Sequence, residues 1–477
     1  MVNDPCQYAL YLSAWLRRVV HLLSSFLITL NMKSAWVLFI TLFFIFPYSL
    51  NAAEVKEYKL QNGMKVIVLE EHKAPVATFQ VWYRVGSKDE PSGKSGISHL
   101  LEHMMFKGTP RYGPSFLSRT IQKNGGTNNA HTTKDYTAYF EIVPSDRILL
   151  PIELEADRMK NLALDSDAVL SERSVVMEER RLRYEDDPQS SLFEEVIAAA
   201  HKIHPYRRPV IGWMSEINSL EREDLYEYYR KYYSPDNAFI IVVGDVNADE
   251  IVKKIKKEFE PLTSAYIGKQ LRNIEPEQTG EKRVMIKREA ELPFIILAYH
   301  TPNFPHEDSY ALDVLHLILS GGKSTRLYQS LIYEKKIALD ASADYSGFYI
   351  DPHLFFFFAT VSPGKEIKDV EGALYSEIEE IKKAPPSEYE IQKAKNQIEA
   401  SFIMGQDSIY VQAMKYGIFE MLGDWRMIDT YLGGIRKVTI HDVMRVANKY
   451  LTEENRTVGT LIPQKEKKSE DENLKKP

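Results

Sequence analysis

Residues 99–103 read His-Leu-Leu-Glu-His. On a helix, positions i and i+4 lie on one face about one turn apart, so both imidazoles can reach a single ion. Glu102 sits one position before the second histidine, where its carboxylate can approach a water on that ion without ligating the ion itself. Neutral imidazole nitrogens suit zinc, and three protein ligands leave a fourth place for water. Zinc lowers the pKa of such a water toward about 7, and Glu102 would take its proton as it attacks a carbonyl polarised by the same metal. A polar patch on an amphipathic helix flanked by Ile97, Leu100, Leu101, Met104 and Met105 would have the same spelling, so the metal reading needs a third ligand. Glu172 and Glu179 are candidates, because seven residues bring them to one helical face. Glu178 points elsewhere, and Glu178, Arg180 and Arg181 read as a solvated acid–base surface. His131 is set aside, since strand alternation puts it on the face opposite Ala130 and Thr132.

The rest of the chain bounds what can surround this group. Its 477 residues allow two to four globular units at roughly 100–200 residues each. The composition is ordinary for a globular protein, 44% hydrophobic and 27% charged. That excludes a mainly disordered chain and a multi-span membrane design. A formal net charge of −7 makes nucleic acid an unlikely partner class. The single cysteine, Cys6, excludes disulfide frameworks and thiolate metal clusters, so any metal must be held by histidine and carboxylate.

Residues 1–53 stand apart. After Met32-Lys33, an apolar run from Ala35 to Phe46 is followed by Pro47-Tyr-Ser-Leu-Asn-Ala-Ala53. Basic start, apolar middle and small-residue end are the parts of a secretory signal cleaved near Ala52 or Ala53. An uncleaved anchor would need nearer 20 apolar residues. Met32 would then be the true start, with 1–31 an upstream over-extension. Export to the periplasm is the expected localisation, with membrane contact only through this segment if it is retained.

Strand patterns follow at 55–60, 65–69 and 76–85, helical patterns near 95–107, 114–123, 146–184, 190–201 and 221–232, and a buried strand at Ala238–Val243. The expected organisation is a zinc-binding domain over 54–262, a polar linker over 263–282, a second domain over 283–465 and a charged tail over 466–477. The second domain repeats the first. Asp224-Leu225, Lys231-Tyr232 and Asn237 recur as Asp442-Val443, Lys449-Tyr450 and Asn455, each offset by 218. This predicts an α+β protein of two similar halves, mixed or antiparallel sheets each packed with helices and enclosing a cleft.

A His-x-x-Glu-His pair followed by a distant Glu resembles the inverted zinc motif of the pitrilysin-like metallopeptidases, which include insulin-degrading enzyme and mitochondrial processing peptidase. In that family the third ligand lies about 75 residues past the second histidine, and 75 residues separate His103 from Glu179. The resemblance therefore implies His99, His103 and Glu179 as ligands of one Zn2+, Glu102 as general base, and Glu172 as a companion catalytic carboxylate. The stretches Gly125–Thr132, with Asp135, Thr137 and Tyr139, and His204–Gly212 are also similar to family segments. By the same resemblance Asn129, Ala130 and Thr132 belong to an edge strand to which an extended peptide adds, using main-chain bonds largely indifferent to sequence.

The pattern breaks in one place. Active relatives carry an Arg and a Tyr, seven apart, after a glycine-rich turn in the second half. Following Ser320-Gly321-Gly322, those register positions are Ile332 and Leu339. Arg326 and Tyr333 share the spacing but fall six residues early. The resemblance thus implies a homologous partner subunit supplying the Arg/Tyr pair, or a homodimer, and leaves a metal-binding assembly or scaffold subunit as the alternative to an endopeptidase. Gly322-Lys323-Ser324 is no phosphate loop, because the position five before Gly322 is Leu317.

Overall fold

The computed structural model describes residues 54–264 and 273–464. The signal-like segment 1–53, the middle of the linker and the tail 466–477 lie outside the described residues.

Six strands form the first sheet: β1 (Val55–Lys59), β2 (Lys65–Glu70), β3 (Val76–Tyr83), β4 (Thr127–Thr132), β5 (Thr137–Pro144) and β6 (Ala238–Gly244), in the order β1-β2-β6-β3-β5-β4. Five form the second: β7 (Lys282–Glu289), β8 (Phe294–Thr301), β9 (Ala338–Asp344), β10 (His353–Val361) and β11 (Arg456–Gln464), in the order β7-β11-β8-β10-β9. Apart from β1 the two orders superpose. In each sheet one parallel pair (β2 with β6, β7 with β11) adjoins antiparallel neighbours. β6 reads as an unbroken apolar run because it lies inside the sheet with both faces covered.

The helices of the first half are α1 (Ile97–Met104), α2 (Phe116–Lys123), α3 (Leu149–Asn161), α4 (Ser166–Arg180), α5 (Pro188–Ala200), α6 (Met214–Asn218), α7 (Arg222–Tyr232) and α8 (Ala248–Phe259). Those of the second are α9 (Glu307–Ser320), α10 (Ile367–Lys383), α11 (Glu388–Met404), α12 (Ile409–Leu422), α13 (Ile428–Lys437) and α14 (Ile440–Tyr450). The helical pattern over 146–184 resolves into two helices. Asp165 ends the intervening bend by accepting the backbone N–H of Asp167 and Ala168, capping α4.

The 218-residue offset is structural. α7 and α14 begin and end in step, as do the starts of β6 and β11. The repeated asparagines explain why: Asn237 Nδ2 donates to Tyr232 O (2.9 Å) and Asn455 Nδ2 to Tyr450 O (2.7 Å), tying each helix end to the strand that follows.

Each half lends the other a helix. α12 covers the outer face of the first sheet, where Ala413 and Met421 join Ile67, Trp82, Phe239 and Ile241 in one buried cluster. Reciprocally, α5 covers the second sheet, with Leu192, Val196 and Ile197 against Ile296, Leu354 and Phe356. Two glycines permit the contacts. A Cβ at Gly417 would overlap the Trp82 ring, and one at Gly459 would overlap Val196. The inner faces pack on each half's own helices to make the two main cores. Among the described residues, no helix is long and apolar enough to cross a membrane.

Candidate metal centre

The start of α1 is fixed before any of its side chains does chemistry. Glu90, buried, accepts the N–H groups of Gly96 and Ser98, both at 3.0 Å, and so satisfies donors that a helix start leaves free. Ser95 Oγ accepts the Trp213 N–H at 2.9 Å, and Glu216 accepts the Ser95 N–H at 2.7 Å. Gly96, at φ +89°, lies against Gly212, at φ +90°; a Cβ on Gly96 would collide with the Ile211 carbonyl, and one on Gly212 with the Ser95–Gly96 peptide. The His204–Gly212 stretch therefore ends as a clamp on the motif helix.

From that helix His99 and His103 project side by side, ring centroids 4.7 Å apart. α4 brings Glu179 to both: Oε2 lies 3.9 Å from His99 Nε2 and 3.5 Å from His103 Nε2. One ligand atom from each of the three residues falls within 4.8 Å of the others, the single such group among the described residues. Glu172, two turns earlier on α4, meets His103 Nδ1 at 3.0 Å and pairs with Lys107. A carboxylate only accepts, so Nδ1 carries a proton toward Glu172, and Nε2, facing Glu179, is the nitrogen that could turn to an ion. Burial, reinforced by the neighbouring His103, pushes His99 down to about 4, which leaves that imidazole neutral at physiological pH. Burial lowers His103 too, but its bonds to Glu179 and Glu172 outweigh that and raise it above the ordinary value, so it would give up a proton on taking an ion. Two imidazoles and a carboxylate on one focus are a donor set that zinc takes, so the residues fit the ion.

Glu102 is held on the same helix by Thr132 of β4, whose Oγ1 donates to Oε2 at 2.5 Å. Burial raises the Glu102 carboxyl above its ordinary value, and the Thr132 bond opposes that shift. β4 is the outermost strand of its sheet, and the Ala130 N–H donates to Asn129 Oδ1 at 2.9 Å. His131 turns the other way, its ring set edge-on to Trp82 and Tyr136.

One expectation is overturned. Arg180 is not part of a solvated surface: it is buried and grips Glu194 of α5 through two bonds of 2.8 Å, linking the Glu179 helix to the helix lent to the other half. Glu178 and Arg181 do form an exposed pair. Sequence reading passed over Lys107 and Arg183, although each lies four residues beyond a site residue on the same face. Arg183 bonds Glu179 Oε1 at 3.0 Å. In the second half, Ile332 packs against the core, Leu339 is exposed on β9, Arg326 is occupied by Glu390 at 2.8 Å, and Tyr333 is exposed.

Residues 65–213 match the family profile described as Insulinase (Peptidase family M16), and residues 219–398 match that of the Peptidase M16 inactive domain. The zinc protease PqqE of Helicobacter pylori is 32% identical over 85% of this chain and 92% of its own length. An uncharacterized zinc protease of Mycobacterium leprae is 30% identical over 86% and 92%. The crystal structure of a protease from Helicobacter pylori superposes with a TM-score of 0.82 at 31% identity, covering 86% of this chain and all of that one. A putative M16-like peptidase from Alicyclobacillus acidocaldarius shares the fold at TM-score 0.74 and 20% identity, over 87% and 99%. The chain belongs to the M16 peptidase family.

Proposed function

We propose that this chain is the metal-bearing subunit of a zinc-dependent endopeptidase that cleaves extended peptides or protein segments. The observation that carries the proposal is the convergence of His99, His103 and Glu179 with Glu102 one residue away on α1. His99, His103 and Glu179 would hold one Zn2+, which supplies Lewis-acid polarisation of the scissile carbonyl and acidifies a water. Glu102 carries the proton: Thr132 anchors one carboxylate oxygen and leaves the other to accept from the attacking water, then to donate to the leaving amine. Glu172 is a positioning residue, holding His103 in the tautomer that faces the ion. The substrate adds to the free edge of β4 as a further strand, with Asn129 releasing the Ala130 N–H to it.

Ile332 and Leu339 offer no donor to a developing oxyanion. That supports completion of the site by a homologous partner subunit bearing the Arg/Tyr pair. We further propose export to the periplasm, directed by the segment before residue 54; cell fractionation tests this, and recovery of the chain in the cytosol alone rejects it.

The decisive test measures zinc content together with turnover of an unstructured peptide, for the wild type and Glu102→Gln, with and without a homologous subunit bearing the Arg/Tyr pair. The proposal expects one zinc per chain in both proteins and a turnover loss of about 10²–10⁴-fold in the variant. A scaffold subunit would show no change on Glu102→Gln. Full activity of the chain alone would refute the need for a partner.

A further inference from the structure

The duplication places a second cleft where the first half has its metal centre. α9 follows β8 as α1 follows β3, and α11 precedes the lent helix α12 as α4 precedes α5. Between α9 and α11, closed by α12, α13 and the loop after β9, lies a cavity of about 480 Å³, within the ~300–1,000 Å³ usual for small-molecule sites. Its walls are aromatic. Phe348 stands 5.2 Å from Tyr431 and 5.5 Å from Phe419 between ring centroids, and Phe402 stands 5.9 Å from Tyr431.

Asp313 is the one carboxylate in a lining that also holds His316, Gln397, Ser401 and Lys415. Asp313 on α9 accepts the Tyr431 hydroxyl at 2.8 Å, and no other donor among the described residues bonds to it. Gln397 on α11 spends its amide N–H on Gly321 O at 2.8 Å, while its Oε1 is buried without a partner. Gln397 Oε1 is thus closed off, and Asp313 is the carboxylate that the cavity reaches. The one cation in the lining, Lys415, is committed to the Phe402 carbonyl and lies 4.3 Å over that ring. A carboxylate in an apolar cavity repels anions, and aromatic faces attract cations.

We propose that this cavity is a binding site for a primary alkylammonium ion, its head on Asp313 and its chain among the rings. Charge then matches, and His316, its pKa lowered by burial, does not compete for the carboxylate. Burial also pushes Asp313 up to about 7, so an arriving ammonium, which favours the ionised carboxylate, releases a proton near neutral pH.

The test is calorimetric titration of the full chain near pH 7 with hexylamine hydrochloride, in two buffers of different ionisation enthalpy, against hexan-1-ol and hexanoate as neutral and anionic isosteres. Expected are saturation at one ligand per chain, affinity about tenfold or more above either isostere, and a heat that depends on the buffer. Asp313→Asn, which keeps an acceptor for Tyr431, should weaken binding by about tenfold or more and abolish the buffer dependence. No saturable heat, equal affinity for hexan-1-ol, or unchanged binding by folded Asp313→Asn would overturn the proposal. Should Asp313→Asn fail to fold, the wild type's preference between hexylammonium and hexan-1-ol decides. None of these readouts involves peptide cleavage, so the result stands apart from the peptidase assignment.

Discussion

Two clefts built from matching helices differ in almost every side chain that enters them. Between α1 and α4 stand His99, His103, Glu172 and Glu179, all titratable and mutually paired. Between α9 and α11 stand Asp313, His316, Gln397 and a ring of aromatics. Backbone topology was retained through the duplication while the chemistry was replaced, which is possible because sheet order and helix packing depend on apolar faces and caps, not on what lines the gap between two helices.

The same contrast holds where the halves exchange helices. The carboxyl end of α12 is held by permanent charge: Arg84 bonds the Glu420 carboxylate at 2.6 Å and its carbonyl at 3.2 Å, and Lys65 adds a bond of 3.0 Å. The carboxyl end of α5 is held by Lys282 and an imidazole instead. Lys282 reaches Ala199 O and Ala200 O at 2.9 and 2.8 Å, and His300 reaches Ala200 O at 3.1 Å. Around it His201 meets His353 at 3.2 Å, with His204 and Lys134 close by and Asp351 3.5 Å from His204.

The largest expected effect separates the clefts. Glu179→Gln should remove zinc and with it all metal-dependent turnover, whereas Gln397→Glu should leave the zinc stoichiometry at one; a second zinc in Gln397→Glu, read by elemental analysis, would erase the distinction. Next, Glu172→Gln should weaken zinc retention about 10–100-fold by releasing the His103 tautomer, measured by competition with a chelator. Gly417→Ala and Gly459→Ala probe the exchanged helices, each forcing a methyl into Trp82 or Val196 at a cost of about 1–3 kcal/mol in denaturant unfolding. Equal wild-type midpoints would mean that neither contact is tight.

The smallest effect concerns pH. Burial, with the neighbouring imidazoles and Lys134, holds His201 and His353 well below the ordinary histidine value. The unfolded chain then binds protons at these positions before the folded one, so their full contribution is present above about pH 6.5 and declines as pH falls below it. His353→Phe should flatten the fall of Tm between about pH 6.5 and 5. An unchanged slope would place acid sensitivity elsewhere.

Much of this was legible in residue order. The His99–His103 spacing, the 218-residue repeat and the apolar run of β6 each encode a local geometry, and local geometry follows from neighbours along the chain. The ion-paired role of Arg180 was not legible, because its partner Glu194 lies on another helix and no pattern within 172–181 distinguishes a buried guanidinium from a solvated one. The exchange of α5 and α12 was equally hidden: each helix is apolar on its own account, and only docking decides whose sheet it covers.

By itself the sequence determined which residue types could grip a metal, that they share a helical face, and that the chain is built twice. Tertiary structure alone decided that Glu179 crosses from α4 to meet both imidazoles, that Thr132 of an edge strand restrains Glu102, and that the second cleft is aromatic around a single carboxylate. The reason is physical: spacing fixes which side chains share a face, whereas the distance between two faces is set by the packing of everything beneath them.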